Sequence, residues 1–384
     1  MDLSPGMDNI IAALGRSNHV RLVDLERLAG WQLEEILAAM QVPFPELTEL
    51  RLLSNGETMP IIPDSFLDGS APHLRHFILD GIPFPGLPKL LLSATHLVYL
   101  RLINIPHSGY FPSEAIVALL SVSYSLETLY LEFKSPQSRP DRATRRLPPS
   151  KRSVIPALNR FHFEGVIEYL EDIVIGIDTP QLEIMNIAFF HQTDFEPPRL
   201  AQFINRTPKL GKRFASVGFN DRFSVVRLSP GNLDIAILCR EPNLQLSSIE
   251  QVCKSSLRPL STIVNLDIKC NYSKLVWKDD AIENALWLQL LLPFTAVKSL
   301  HLSKEFASGI AAALQELVGG RIMEVLPSLE NIFLDVYKPS GPLRENIGQF
   351  VAARQLSGHP IAIFHFFYDK YGRTQRKLMP LHLS

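Results

Sequence analysis

The sequence predicts an α/β fold in which units of one strand and one return segment repeat along the chain and stack side by side. Three observations lead to this fold: an apolar triplet recurs, the interval between triplets is nearly constant, and helical patterns separate several of them. The triplet has apolar residues at positions 0, +3 and +5, as in Leu47, Leu50 and Leu52. Clear triplets begin at Leu47, Leu74, Leu97, Leu126, Leu158, Leu182, Ile263, Val297 and Leu329, and a weaker one begins at Phe214.

The spacing of the triplets indicates the kind of repeat. From Leu47 to Phe214 successive triplets begin 27, 23, 29, 32, 24 and 32 residues apart; after a gap of 49 residues the last two intervals are 34 and 32. Leucine-rich repeats are roughly 20 to 29 residues long, so the intervals begin in that range and extend above it. Positions +3 and +5 lie on one side of a strand, and a return segment must precede each parallel neighbour. We therefore expect an irregular leucine-rich-repeat solenoid, with a curved parallel sheet and helical or extended returns.

The return segments are predicted to be helical in some repeats and extended in others. Residues 55–68 and 81–89 are rich in proline and are predicted to be 3₁₀ or extended, because proline has no N–H for a helix interior. Ile361–Phe367 is predicted to be a closing strand. Helices are predicted over Ser113–Val122, Val166–Ile177, Pro198–Thr207, Ala281–Leu292, Ser308–Leu326 and Gly341–Leu356.

The chain is predicted to contain a helical cap at residues 1–19, the repeat domain at residues 20–368 and a basic tail at residues 369–384. Residues 135–153 interrupt the repeats with six basic residues, one acid, four prolines and no apolar period. This composition predicts a disordered loop, either a solvated insertion or a basic docking or localisation segment.

Composition and motifs exclude several classes of function. The net charge of −1 gives no whole-molecule attraction to nucleic acid or to a membrane surface. We find no apolar segment long enough for a membrane span and no secretory signal, so we expect a cytoplasmic or nuclear protein. Nucleotide-binding, zinc-protease, hydrolase and kinase motifs are missing, so we expect no enzyme activity, no catalytic residues, no cofactor and no metal site.

If positions +3 and +5 face the interior, the residues that alternate with them form the surface available to a partner. This surface mixes both charges with aromatic side chains, as protein interfaces do, although the residues could also be ordinary solvent-facing strand positions. The residues predicted to contact a protein partner are Arg51, His76, Tyr99, Arg101, Tyr130, Glu132, Arg160 and His162. The same alternation places Glu49, Asp80, Glu164, Asn186, Asp267, Lys269, His301 and Asp335 on this surface.

Several blocks of sequence go beyond the repeat pattern. They are Pro63–Leu67, Gly69–Leu74, Asp80–Leu97, Glu168–Asp172, Phe189–Gln192, Gln202–Pro208, Trp287–Leu288, Pro293–Lys298, Ala313–Gly319 and Gly348–Leu356. Together they resemble a large family of leucine-rich-repeat proteins from mushroom-forming fungi that are usually labelled F-box proteins. The likeness extends from about residue 20 to about residue 365.

The resemblance implies the substrate-recognition subunit of a Skp1–cullin–F-box ubiquitin ligase, with a protein substrate and Skp1 as partners. In that family the F-box is a short helical module near the N-terminus, with a Leu-Pro start and an amphipathic helix that docks on Skp1. Here the chain opens with Met1–Pro5 and is repeat-like by Val20. We expect either a truncated product or an array without its adaptor module, which argues against Skp1 binding. Two other interpretations stay open: a leucine-rich-repeat sensor or scaffold of a regulatory complex, and a hydrolase on an irregular α/β fold.

Overall fold

The computed structural model describes residues 5–54, 60–136, 152–191, 197–210, 212–230, 232–255, 258–270, 283–336, 339–367 and 377–380. The chain forms two compact units: unit 1 comprises Met1–Phe190 and Gln202–Lys209, and unit 2 comprises His191–Ala201 and Leu210–Ser384. Each unit is mixed α/β with mostly parallel strands, as the sequence predicts for the fold class. The predicted basic loop at 135–153 and the tail at 369–384 lie largely outside the described residues.

The described part of unit 1 contains one sheet of seven parallel strands. In spatial order they are β1 (Leu22–Leu28), β2 (Glu49–Ser54), β3 (His76–Asp80), β4 (Tyr99–Ile105), β5 (Thr128–Phe133), β7 (Arg160–Gly165) and β9 (Ile184–Phe190). Two short strands, β6 (Ser153–Val154) and β8 (Ile177–Asp178), pair separately with each other.

One hydrogen-bond arrangement repeats at the start of the strands in unit 1. Two consecutive N–H groups approach the same carbonyl, which lies directly before the start of the neighbouring strand. Thr48 N and Glu49 N approach Arg21 O at 2.9 and 3.1 Å, and Arg75 N and His76 N approach Thr48 O at 2.8 and 3.0 Å. The arrangement recurs at β4, β5, β7 and β9. Because each strand starts in the same place relative to its neighbour, equivalent side chains line up across the sheet.

Burial explains why the apolar triplets become strands. Leu50 and Leu52 are only 1% and 0% exposed, and burial alternates residue by residue along β2. Leu47, at position 0, is buried in the turn before the strand, where its N–H donates to Phe44 O at 3.2 Å. The prediction that positions +3 and +5 face the interior is confirmed for this strand and repeats in β3, β5, β7 and β9.

The chain returns between strands of this sheet through the helices α2 (Gly30–Ala39), α3 (Leu87–Leu91), α4 (Ser113–Val122) and α5 (Ile167–Gly176). Helix α1 (Pro5–Leu14) precedes β1, and helix α6 (Pro198–Arg206) follows β9. Helix α4 has the predicted bounds, and α5 and α6 lie within the predicted segments. The prediction of a non-helical return over residues 81–89 is wrong at its end, because α3 begins at Leu87. Pro88 lies in the first turn of α3, where the missing N–H removes no helical hydrogen bond.

Unit 2 combines parallel and antiparallel strands. In spatial order its described strands are β12 (Leu233–Leu238), β11 (Phe223–Pro230), β10 (Lys212–Phe219), β13 (Asn265–Cys270), β14 (Ser299–Ser303), β15 (Asn331–Asp335), β16 (Ala362–Phe367) and β17 (Lys377–Pro380). The neighbouring pairs β10–β13, β13–β14, β14–β15 and β15–β16 are parallel. The pairs β10–β11, β11–β12 and β16–β17 are antiparallel. Its helices are α7 (Pro242–Ser255), α8 (Asn284–Leu291), α9 (Lys304–Gln315) and α10 (Gly341–Leu356).

Two features of unit 2 differ from the prediction. The weak triplet at Phe214 belongs to β10, after which the chain turns back twice through β11 and β12, so a meander and α7 fill much of the 49-residue gap. Helix α9 begins and ends earlier than the predicted 308–326, and the chain continues in turns that include Gly319 at a φ of +115°. Helix α10 has the predicted bounds, and it is followed by Gly358 at a φ of +82°, a conformation that favours glycine at a helix end.

Candidate functional site

The candidate site is the polar face of unit 1, which we define as the solvent-side residues of strands β2, β3, β4, β5 and β7. The parallel register arranges these residues in rows across the sheet. The first row is Glu49, His76, Tyr99, Thr128 and Arg160. The second row is Arg51, Ile78, Arg101, Tyr130 and His162. Glu132 and Glu164 lie opposite each other beyond the second row.

A run of aromatic rings crosses four strands of this face. The ring centroids of His76 and Tyr99 are 6.2 Å apart, and those of Tyr99 and Tyr130 are 6.0 Å apart. Tyr130 and His162 are stacked, with centroids 5.3 Å apart and planes inclined by 28°. The strand register pairs His76 with Tyr99 and Tyr130 with His162. Only the contact between Tyr99 and Tyr130 runs diagonally from the first row to the second, because Tyr99 lies opposite Thr128.

Arg101 is held against this aromatic run. Its guanidinium carbon lies 5.2 Å from the centroid of the Tyr130 ring, which is a cation–π contact. The Nε atom of Arg101 is buried and has no hydrogen-bond partner among the described residues. Arg101 as a whole is only partly buried, and the planar guanidinium group is suited to contact a carboxylate or carbonyl of a partner.

Two of the predicted residues lie apart from the aromatic run. Arg51 forms ion pairs with Asp24 at 3.3 Å and Glu26 at 2.9 Å, both on β1. The sequence pattern did not predict these acids, because β1 carries no clear triplet. Arg160 is exposed at the start of β7, opposite Thr128. The structure therefore brings together six of the eight predicted residues: His76, Tyr99, Arg101, Tyr130, Glu132 and His162.

Acidic and imidazole groups meet at one end of the run. His162 Nε2 lies 3.3 Å from Glu132 Oε1, and both side chains are about three-quarters buried, with 24% and 23% of their surface exposed. Ligand atoms of Glu132, His162 and Glu164 all lie within 4.8 Å of one another. Alternation places Glu164 on this face, but only the strand register brings it to Glu132.

The surroundings shift the protonation equilibria of these three groups. Burial raises the pKa of the Glu132 carboxyl; Arg101 opposes this rise, and Asp80 adds to it. Burial, and then the charge of Glu132, raises the pKa of Glu164. Burial and the charge of Arg101 lower the pKa of the His162 imidazole. These shifts favour the neutral imidazole and the protonated carboxyls, so the contact between His162 and Glu132 has less ion-pair character than a contact between fully charged groups.

An aromatic cluster supports this end of the face from the interior. Phe133 and Phe163 lie at the buried positions of β5 and β7, and Tyr169 of α5 packs against Phe133 with ring centroids 4.8 Å apart. The hydroxyl of Tyr169 donates to Phe111 O at 3.0 Å. A Cβ atom on Gly165 would lie 2.7 Å from the Phe163 ring, so the cluster requires glycine at that position. The backbone that carries Glu132, His162 and Glu164 is thus fixed by close packing on its other side.

An open groove of about 840 Å³ follows the edge of the sheet where the strands of unit 1 start. Its lining combines both charges, with Arg21 and Arg75 beside Glu46 and Glu127. None of the eight residues predicted to contact a partner lines this groove. The groove and the polar face are therefore separate features of unit 1.

The comparisons with known proteins do not assign this chain to a family. No protein-family model matches it, and no curated protein matches it. The resemblance to F-box proteins with leucine-rich repeats therefore stays a prediction from the sequence. Within the part of the chain that the structure describes, none of the helices combines the length and the apolar character needed to cross a membrane.

Replacing Glu164 with glutamine is expected to raise the midpoint of urea unfolding at neutral pH in buffer containing EDTA. The raised pKa of Glu164 means that the folded protein holds this proton more tightly than the unfolded chain. The wild-type protein therefore loses stability as pH rises from the ordinary glutamate pKa to the folded-state pKa, whereas glutamine carries no charge to bury. Urea unfolding of both proteins at a series of pH values checks this.

The rise in the urea midpoint of Glu164→Gln over the wild-type protein should be smallest at acidic pH. It should reach its full size above the folded-state pKa of Glu164. The Glu132→Gln/Glu164→Gln double variant should gain less than the sum of the single variants, because removing either charge relieves the other carboxyl. If the difference in urea midpoint between Glu164→Gln and the wild-type protein did not change with pH, the buried charge of Glu164 would not be its source.

Proposed function

We propose that this chain is a non-catalytic protein-recognition scaffold, an irregular leucine-rich-repeat solenoid whose polar face in unit 1 binds another protein. In this it resembles the substrate-binding part of a Skp1–cullin–F-box ubiquitin ligase. The observation that carries the proposal is the aromatic run from His76 to His162, with Arg101 over Tyr130. Tyrosine and arginine are among the residue types enriched at the energetic centres of protein interfaces.

The repeated hydrogen bonds at the strand starts support the solenoid part of the proposal. In unit 2, Lys298 N and Ser299 N approach Val264 O at 2.8 and 3.2 Å, which is the arrangement found in unit 1. Glu330 N and Asn331 N approach Lys298 O in the same way, both at 2.9 Å. Repeats that stack through the same hydrogen bonds place equivalent side chains side by side on one face. Repeat proteins bind their partners with extended surfaces of this kind.

The contacts within the aromatic run favour tight binding for an entropic reason. A side chain that is free in solution loses rotamer entropy when a partner fixes it, at a cost of about 0.5–1.5 kcal/mol for a flexible side chain. Arg101 is already held over Tyr130, and Tyr130 is stacked on His162. These side chains therefore lose much of their rotamer entropy on folding and little more on binding. Contacts to them then contribute more of their energy to affinity.

Replacing Tyr99, Arg101 and Tyr130 together with alanine is expected to weaken partner binding by at least about 30-fold, because truncating an interface centre costs about 2 kcal/mol or more and 1.4 kcal/mol corresponds to tenfold. Partners are first identified by affinity purification and mass spectrometry with the wild-type chain. The affinity of a purified partner for both proteins is then measured by calorimetry. Circular dichroism confirms that the triple variant is folded.

The matched control replaces Lys298 and Glu330 with alanine, since they form an exposed ion pair in unit 2, with Nζ and Oε1 2.7 Å apart. This variant should bind the partner like the wild-type chain. Unchanged affinity in the folded triple variant would refute the proposed surface. Recovery of Skp1 and cullin with the wild-type chain would support a ligase subunit, and their absence beside another specific partner would favour a scaffold or sensor of a regulatory complex.

A further inference from the structure

The polar face of unit 1 also contains a set of metal-ligand groups. Among the residues that the structure describes, Glu132, His162 and Glu164 are the group of three or more such side chains whose ligand atoms converge, all within 4.8 Å of one another. Two carboxylates and an imidazole form a mixed oxygen and nitrogen donor set. Two carboxylates side by side at a half-buried position repel each other, and a bound divalent cation would relieve that repulsion.

The strand register produces this convergence. Glu132 on β5 lies directly opposite Glu164 on β7, and adjacent strands are only about 4.8 Å apart. His162 precedes Glu164 by two residues, so both side chains leave β7 on the same side. The three ligands therefore come from two strands whose other face is fixed by Phe133 and Phe163. Ligands on a rigid sheet need little rearrangement to hold an ion.

We propose that Glu132, His162 and Glu164 bind one divalent transition-metal ion, of which Zn²⁺ is the type best suited. Imidazole nitrogen is a good ligand for zinc and a poor one for calcium or magnesium, which prefer oxygen ligands. With metal–ligand distances of about 2.0–2.2 Å, neighbouring ligand atoms of a tetrahedral zinc site lie about 3.4 Å apart. His162 Nε2 and Glu132 Oε1 are already 3.3 Å apart, so the Glu164 carboxylate is the ligand that has to move closer to the other two.

The contacts of His162 aim its imidazole at the proposed site. Its ring is stacked on Tyr130, and Nε2 points toward Glu132. A bound ion would take the place of the direct contact between these two groups, with Nε2 unprotonated and its lone pair directed at the metal. Three protein ligands leave a fourth position of a zinc ion for water or for a donor atom of a bound partner.

Arg101 is the cation that competes with the proposed ion. Its charge acts on both Glu132 and His162, and its guanidinium lies over Tyr130, next to His162. Removing this charge should strengthen the attraction between the carboxylates and a divalent ion. The Arg101→Gln substitution is therefore expected to tighten metal binding, an effect that non-specific binding elsewhere on the chain would not show.

The experiment is calorimetric titration of ZnCl₂ into the full chain after treatment with EDTA and its removal. The wild-type protein should show one site that is lost, or weakened by at least about tenfold, in His162→Gln and in Glu164→Gln, since each removes one of three ligands. Arg101→Gln should bind Zn²⁺ more tightly than the wild-type chain. A parallel titration with CaCl₂ should give much weaker binding.

The matched control is Glu49→Gln. Glu49 pairs with His76 on the same face at 3.5 Å, but this pair has no third ligand group near it among the described residues. Glu49→Gln should bind Zn²⁺ like the wild-type chain. Equal Zn²⁺ binding in wild-type, His162→Gln and Glu164→Gln proteins would overturn the proposal, as would the lack of any binding to the wild-type chain. Because the titration uses the chain alone, its outcome does not depend on whether a protein partner exists.

Discussion

Replacing Tyr169 with alanine is expected to lower the free energy of unfolding of unit 1 by about 4 kcal/mol, the loss typical of a large buried aromatic side chain. Tyr169 is fully buried and packs against both Phe133 and Phe163. Its removal leaves a cavity that the aromatic cluster cannot fill without moving β5 or β7. Urea unfolding followed by fluorescence or circular dichroism measures the loss, with each unit treated as its own transition where two transitions are seen.

The control for this prediction is Tyr169→Phe, which keeps the ring and removes only the hydroxyl group. It should cost about 1–2 kcal/mol, because Phe111 O then loses a buried donor at 3.0 Å. If alanine and phenylalanine cost the same, ring packing would not be the source of the stability. A folded Tyr169→Ala protein should also bind Zn²⁺ more weakly than wild type, since the cluster holds the strands that carry the proposed ligands.

Replacing Arg354 with alanine is expected to lower the free energy of unfolding of unit 2 by about 3 kcal/mol, because one buried and one partly buried carbonyl lose a charged donor. Arg354 is 0% exposed and lies near the end of α10. One of its terminal nitrogens donates to Pro327 O at 3.0 Å and Leu329 O at 3.3 Å. These carbonyls belong to the turn that starts β15, so the guanidinium joins the helix to the strand it returns from. Burial lowers the pKa of this guanidinium, but the group still donates these hydrogen bonds.

Arg321→Ala serves as the control for the Arg354 substitution. Arg321 forms an exposed ion pair with Glu324 at 2.6 Å, and exposed pairs contribute little to stability. The unfolding midpoint of Arg321→Ala should match that of the wild-type protein in thermal and urea unfolding. An Arg354→Ala protein that is as stable as wild type would show that water can satisfy the carbonyls of Pro327 and Leu329.

Most strands and helices could be predicted from the sequence because the residue patterns that predict them are local. An apolar triplet such as Leu126, Leu129 and Leu131 can bury all three side chains only as a turn followed by a strand. The helices over Ser113–Val122 and Gly341–Leu356 follow from uninterrupted helical patterns with clear ends. The meander of β10, β11 and β12 was missed although Leu233, Ile235 and Ile237 alternate clearly, because alternation predicts a strand but not the direction of its neighbour.

The candidate site, too, could be predicted from the sequence only in part. Alternation along each strand placed Tyr130, Glu132 and His162 on the solvent side, and this required only the two-residue period of a strand. The pairing of Arg51 with Asp24 and Glu26 could not be predicted, because β1 has no triplet that identifies it as a strand.

The sequence alone therefore determined which segments become strands and which of their side chains avoid the core, since both depend on burying apolar residues at fixed spacing. Only the tertiary structure decided which polar side chains meet. Glu132 and Glu164 are 32 residues apart in the chain, and they face each other because parallel pairing aligns β5 with β7. Register is set by backbone hydrogen bonds between distant segments and by packing beneath them, and neither is encoded in a local pattern.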